Sequence, residues 1–212
     1  MNINKISIKT KNKNYSIIIG RDLIGKIDKI LKDNRLKFDK CLIVTDKNIV
    51  LIGMMGSGKT SIGKILSKKL NLTFIDIDQK IEESEDSKVS EIFTKYGEDY
   101  FRKIEEKISL KFLSSENSVI SLGGGGFINT SIRKMCKKNC LSFWLDWKNE
   151  TIIKRIYKSK KRPLAINLTR GQINNLIKER SKFYSMSSYR INCDKLDKVE
   201  IINKILDIYE YK

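Results

Sequence analysis

The stretch Asn48-Ile49-Val50-Leu51-Ile52-Gly53-Met54-Met55-Gly56-Ser57-Gly58-Lys59-Thr60 constrains this chain more than any other part of it. A short apolar run enters a glycine-rich turn that closes in Gly58-Lys59-Thr60. Gly53 and Gly58 occupy the two glycine positions of G-x-x-x-x-G-K-[ST], the phosphate-binding loop. Glycines there let backbone N–H groups turn inward and approach an anion. The helix that follows adds free N–H donors and the positive end of its dipole. Lys59 supplies a charge for β- and γ-phosphates, and Thr60 a hydroxyl for Mg²⁺. Ile49 to Ile52 are apolar without alternation, as a strand buried on both faces requires. Ile62, Ile65, Leu66 and Leu70 recur at helical spacing. A chance glycine turn before an ordinary helix would lack this strand–loop–helix order.

A loop of this kind belongs to an α/β protein, and 212 residues suffice for one domain, or one with an appendage. The net charge of +18 raises the question of nucleic acid. The lysines are spread along the chain and no recognition motif accompanies them, so no nucleic-acid partner is expected. A basic field would gather small anionic substrates instead. There are no histidines, which excludes histidine bases, histidine metal ligands and Ser-His-Asp triads. Cys41, Cys136, Cys140 and Cys193 form no C-x-x-C pair, and reduced buried thiols in a cytoplasmic protein are expected. The N-terminus leads into no long apolar stretch, so neither a leader peptide nor a membrane span is expected.

The first fifty residues carry their own pattern. Ile6 and Ile8 alternate with Lys5, Ser7 and Lys9, and Tyr15 to Ile19 read as the return strand of a hairpin closed by Gly20. Leu23, Ile27, Ile30 and Leu31 suggest a short helix, and Cys41 to Val44 a buried strand. Tyr15-Ser16-Ile17-Ile18-Ile19-Gly20 and Leu42-Ile43-Val44-Thr45-Asp46-Lys47-Asn48 resemble the start of 3-dehydroquinate synthase. That resemblance implies a nucleotide-binding segment followed by a metal site with histidine ligands. This chain has no histidine and passes directly into the phosphate loop, so residues 1–47 are expected to be a truncated segment without synthase activity. They could pack on the sheet, pair with another chain or stay partly disordered.

Beyond the loop, Leu72 to Asp78 read as a second strand with Asp76 and Asp78 on one side of its C-terminal end. In parallel sheets that end is where ligands bind. A helix cap would use a strand-terminal carboxylate equally well. Residues 79–114 read as helical, with Ile92, Phe93, Tyr96, Tyr100 and Phe101 apolar and Gly97 as a break. Arg102 and Glu105 are three residues apart on one helix face, where a surface ion pair of little value is the ordinary outcome. Val119 to Leu122 read as a strand entering Gly123 to Gly126, which implies a close backbone approach or a flexible loop. Leu141 to Leu145 and Tyr189 to Cys193 read as further strands. Thr151 to Tyr157, Gln172 to Phe183 and Ile202 to Tyr209 read as helices. Between them, Lys158 to Leu164 are dense in positive charge and contain Pro163, the one proline. A lid over a nucleotide suits this segment, and so does a solvated loop.

Taken in order, Gly53 to Thr60, Asp76-Ile77-Asp78, Gly97-Glu98, Phe101-Arg102 with Glu105, Gly123-Gly124-Gly125, Arg162-Pro163-Leu164, and Arg180 with Tyr184 resemble shikimate kinase. The resemblance spans residues 48–212 and implies a five-stranded parallel sheet flanked by helices, a substrate region at 79–114 and a lid at 157–168. It implies that Gly56, Ser57, Gly58, Lys59, Thr60 and Ser61 cradle ATP, and that Thr60 and Asp76 hold Mg²⁺, the latter through water. Asp78 would bind the shikimate hydroxyl that is phosphorylated and help remove its proton. Arg102 and Arg180 would grip the shikimate carboxylate, with Gly124 offering backbone. Arg162 would swing in on the lid, and Arg155 would stack on adenine. Lys59, Asp78 and Arg162 would be the catalytic set. A related kinase acting on gluconate, or an inactive ATP-binding fusion product, are the alternatives. A monomer is expected, unless residues 1–47 mediate self-association. Cys193-Asp194-Lys195-Leu196-Asp197 departs from the family, which often places a proline against adenine there. Ala165 and Gly126 are departures that touch no implied chemistry.

Overall fold

The computed structural model describes residues 4–9, 14–19, 32, 47–115, 117–158 and 168–210. The chain forms two compact units, Met1–Thr45 and Asp46–Lys212. In the first, β1 (Asn4–Lys9) and β2 (Asn14–Ile19) pair antiparallel, with Ile6 opposite Ile17 and Ile8 opposite Tyr15. The hairpin is therefore the one the alternation predicts. The helix expected at 23–31, the strand at 41–44 and Cys41 lie outside the described residues.

The second unit is built around β3 (Asn48–Ile52), every residue of which is buried. Such a strand needs a neighbour on each edge and a helical layer on each face. β4 (Thr73–Asp76), β5 (Ser118–Ser121), β6 (Cys140–Asp146) and β7 (Tyr189–Asn192) complete a sheet ordered β4-β5-β3-β6-β7, all parallel. The chain leaves β3 for one edge, returns through β5, then crosses to β6. β3 is thus the point at which strand order reverses, and ligands bind outside the carboxyl ends of strands at such a point. Asn48 ties the base of β3 to the turn that leads into β5: its side chain accepts from Ser118 N at 2.9 Å and donates to Ser115 O.

Alternate side chains of the central strands enter two cores. Ile49, Leu51, Val119, Phe143 and Leu145 pack with Ile62 and Leu66 of α1 (Lys59–Leu70) and Ile201, Ile202 and Ile205 of α7 (Lys198–Glu210). Val50, Ile52, Ile75 and Ile120 pack on the other face against α2 (Ile77–Glu85), α3 (Val89–Leu113), α4 (Thr130–Asn139), α5 (Asn149–Lys158) and α6 (Arg170–Tyr184). Each fully buried isoleucine or leucine stabilises the fold by roughly 1.5–3 kcal/mol, and this locks the strand ends that carry the loops.

Two local outcomes position the site. The strand expected through Asp78 stops at Asp76, and Asp78 lies in the first turn of α2. Ile77 and Ile81 explain the correction: both are wholly buried, while Gln79, which a strand would put on the same face, is exposed. The two carboxylates come together through a strand-to-helix switch, not through strand alternation. The second outcome is Gly97, at φ 81° and ψ 176° inside α3. Nothing lies within 4 Å of where its Cβ would be, so backbone conformation and not space selects glycine there. The kink starts a second arm of α3 at Glu98, one turn before Arg102.

Candidate active site

The phosphate loop joins β3 to α1 and runs through positive φ at Gly53, Gly56 and Gly58. Gly53 is also sterically required, since a Cβ would sit 2.9 Å from Leu145 O. Gly58 caps α1 with no side-chain bond to its first N–H groups, which leaves them for an anion. Lys59 Nζ folds back onto the loop's own carbonyls, 2.9 Å from Gly53 O and 3.1 Å from Met54 O. Ser61 follows in the first turn of α1. Two residues that follow the neighbouring strand β6 reach the loop: Arg155 Nη1 donates to Gly56 O at 3.2 Å, and Trp147 Nε1 donates to Ser57 O at 2.9 Å.

Thr60 Oγ1 donates to Asp76 Oδ2 at 2.7 Å. Asp76 stands at the N-cap of α2, yet its side chain makes no capping bond. Thr60 and Asp76 thus form a pair of hard oxygen donors beside the loop. Among the described residues no cluster of three acidic or cysteine side chains could hold a metal alone. Mg²⁺ bound to nucleotides needs only one or two protein oxygens, with phosphates and water completing its shell, so this pair fits that ion.

Asp78 faces the same opening. The residue is exposed, and its carboxyl lies against Gly123 next to Glu105. Desolvation, then Asp76 and Glu105, push its carboxyl up from 3.8 to about 6, against the pull of Lys59 and Arg102. Glu105 is 2% exposed, and burial raises its pKa against the attraction of Arg102.

The glycine run after β5 forms a wall against the site's charged side chains. A Cβ at Gly123 would lie 2.5 Å from Glu105 Oε1 and 2.7 Å from Asp78 Oδ1. At Gly124 it would lie 3.1 Å from Arg180 Nη1, and at Gly125 2.4 Å from Arg102 Nη1. No larger residue fits at Gly123 or Gly125 without moving the charged groups. Tyr184, buried one turn beyond Arg180, donates its hydroxyl to Gly124 O and so fixes the wall from behind.

Arg102 is held by two carboxylates of different character. Its Nη1 donates to Glu105 Oε2 at 2.6 Å, and its Nε and Nη2 donate to Glu98 Oε1 at 3.1 and 2.8 Å. The Glu105 side chain is 3% exposed and the Glu98 side chain 64%. The buried partner is the anchor, while the exposed one is worth little and is easily displaced. Arg180 Nε is buried with no hydrogen-bond partner, as is Glu105 Oε1. Both arginines line a cleft of about 460 Å³ with Glu98, Glu105, Gly125 and Phe183. Two guanidinium groups facing one cavity suit a carboxylate ligand.

The structure therefore brings together Gly56 to Ser61, Asp76, Asp78, Arg102, Gly124, Arg155 and Arg180 at the carboxyl end of the sheet. Arg162 and residues 159–167 of the expected lid lie outside the described residues. The guanidinium of Arg155 lies over the Trp147 ring, 3.8 Å from its centroid. Trp147 is a residue that sequence reasoning missed, because a tryptophan just after a strand reads as ordinary core. The departing segment after β7 is tied down locally: Cys193 N donates to Asp146 O at 2.8 Å and Lys148 N to Asp194 Oδ1 at 3.0 Å.

Comparison with known proteins agrees with this geometry. The family model described as shikimate kinase matches residues 55–210. A shikimate kinase of Persephonella marina is 42% identical over 161 residues, covering 76% of this chain and 97% of that protein. One from Bacillus subtilis is 36% identical over 174 residues, covering 79% and 91%. Among solved structures, shikimate kinase from Acinetobacter baumannii in complex with shikimate superposes with a TM-score of 0.74 at 29% identity, covering 79% of this chain and 94% of that one. Shikimate kinase from Aquifex aeolicus gives 0.69 at 36% identity, covering 77% and 96%. A gluconokinase from Sinorhizobium meliloti gives 0.53 at 17% identity, a likeness of fold alone.

Proposed function

The chain belongs to the shikimate kinase family, and from that premise we propose that it transfers the γ-phosphoryl group of ATP to the 3-hydroxyl of shikimate, giving shikimate 3-phosphate and ADP. The observation that carries this reading is the pair Arg102 and Arg180 lining one cleft, with Asp78 beside Glu105 at the neighbouring Gly123 of the glycine wall. A hydroxylated carboxylic acid uses both features. Its carboxylate replaces Glu98 on Arg102 while Glu105 keeps the guanidinium in place, and Arg180 closes from the other side. Gly124 lends backbone to the same ligand. Its hydroxyl then reaches Asp78, whose carboxyl, raised to about 6, is ionised at neutral pH and still basic enough to accept a proton.

On the nucleotide side, Gly56, Ser57, Gly58, Thr60 and Ser61 receive the phosphates. Lys59 leaves its loop carbonyls for the β- and γ-oxygens, and Arg162 of the lid adds charge to the transferring group. Arg155 presents its free face to adenine. Thr60 and Asp76 would hold Mg²⁺, which neutralises phosphate charge when bound. Such a transfer is mostly positioning and charge stabilisation, so the absence of histidine is no obstacle.

In the same reading, residues 48–212 are the kinase domain, with the substrate region at 79–114 and the lid at 157–168. Residues 1–47 are a truncated 3-dehydroquinate-synthase-like appendage without synthase activity, and the segment through which copies of the chain would self-associate if they do. The kinase domain acts as a monomer in the cytoplasm, with small molecules as its partners and no nucleic acid. Among the described residues no helix is long and apolar enough to cross a membrane. The test is acceptor comparison: purified protein with ATP and Mg²⁺ is given shikimate or gluconate, and products are read by ³¹P NMR. Phosphorylation of shikimate in preference to gluconate is the expected result; the reverse preference overturns the assignment.

A further inference from the structure

We propose that Trp147 is a positioning residue for the nucleotide half of the site, setting the phosphate loop and Arg155 together through one indole ring. Trp147 stands in the short connection between β6, which ends at Asp146, and α5, which begins at Asn149. β6 pairs in parallel with β3, Trp144 opposite Ile52. The connection therefore emerges beside the phosphate loop.

Two consecutive loop peptides are held from this side. In the first, Arg155 Nη1 donates to Gly56 O at 3.2 Å, and the N–H of the same peptide, that of Ser57, donates to Met54 O at 3.1 Å. Both ends of that plane are pinned. In the second, the indole N–H donates to Ser57 O at 2.9 Å. A trans peptide is planar, with its carbonyl and N–H pointing in opposite directions. Anchoring Ser57 O outward on Trp147 therefore turns the Gly58 N–H inward, towards the anion. Gly58, at φ 93°, has no backbone preference that would hold that plane by itself.

The same ring supports the other anchor. The Arg155 guanidinium lies 3.8 Å from the centroid of the Trp147 ring, an attraction between a cation and an aromatic face. One face of the guanidinium is covered by indole and the other is left for a nucleobase. Trp147 thus acts on phosphate and base through two separate groups, its N–H and its π face. Phenylalanine removes the first and keeps much of the second, while alanine removes both.

The inference rests on the reading that a nucleotide occupies the loop, and its test is independent of the acceptor. ADP with Mg²⁺ is titrated into full-length wild type and Trp147→Phe, with affinity read by calorimetry and tryptophan emission recorded in parallel. Losing one hydrogen bond that orients a loop peptide should weaken ADP about three- to tenfold. KM for ATP should rise by a similar factor, while KM for the acceptor stays within about twofold. Binding should perturb tryptophan emission in the wild type and much less in Trp147→Phe. Trp147→Ala should lose more, and Arg155→Ala in that background should cost less than in the wild type, because the two act as a unit. Equal ADP affinity in wild type and Trp147→Phe overturns the proposal, as does an equal rise in both KM values. Failure of the wild type itself to bind ADP overturns the nucleotide reading beneath it.

Discussion

Asp78→Asn separates the demands of folding and of chemistry at one atom pair. The carboxyl is raised from 3.8 to about 6, first by desolvation and then by Asp76 and Glu105. A group whose folded pKa is above its unfolded value opposes folding once it is ionised in both states. The full shift of about two units corresponds to roughly 3 kcal/mol. Asp78 is exposed, and water screens it, so about 1 kcal/mol is the expected size. Asparagine never ionises. The variant should therefore be the more stable protein at pH 8, by about 1 kcal/mol. The wild type takes up its proton in the folded state first as pH falls through 6. Roughly two-thirds of the variant's advantage should be gone by pH 4.5, and nearly all of it by about pH 3. Urea denaturation of both proteins at pH 8 and 4.5 measures this, with turnover assayed alongside. Turnover should be lost while ADP affinity is kept. No gain at pH 8 would refute the electrostatic reasoning, and so would a gain of the same size at pH 4.5, which would indicate packing.

The other predictions concern single contacts. In the wild type, kcat/KM for the acceptor should fall with unit slope below about pH 6 as Asp78 takes up its proton; a profile flat to pH 5 would remove Asp78 as the base. Arg102→Ala should raise KM for shikimate at least tenfold and leave KM for ATP nearly unchanged, in keeping with a charged hydrogen bond to substrate; equal losses would count against its role. Gly125→Ala places a methyl 2.4 Å from Arg102 Nη1, so its steady-state kinetics should show the same selective acceptor defect, and normal acceptor KM would show that the wall yields.

The centre of the sheet was legible because its strands there are buried on both faces: Ile49 to Ile52 and Val119 to Leu122 are buried throughout. The loop was legible because a phosphate cradle restricts residue types at fixed spacing. The end of β4 was not, since Phe74-Ile75-Asp76-Ile77-Asp78 also fits strand alternation. Only the burial of Ile77 and Ile81 with Gln79 left exposed between them, a tertiary fact, shows that it turns into a helix. The ion pair of Arg102 with Glu105 looked like surface decoration in sequence, because spacing carries no information on depth. Gly123 to Gly125 announced a close approach without saying to what; four charged side chains meet them. Trp147 left no signal, since its role is a contact with a carbonyl 90 residues away.

Loop, carboxylate and paired arginines working as one site would show in ADP release. Full-length protein is given ATP and Mg²⁺ with and without shikimate, with Lys59→Met as the blank, and the chain starting at Lys47 is run in parallel. Release should depend on shikimate and be abolished in Lys59→Met while its fold is kept. Shikimate-independent release, or none from either length of chain, would contradict a single working site.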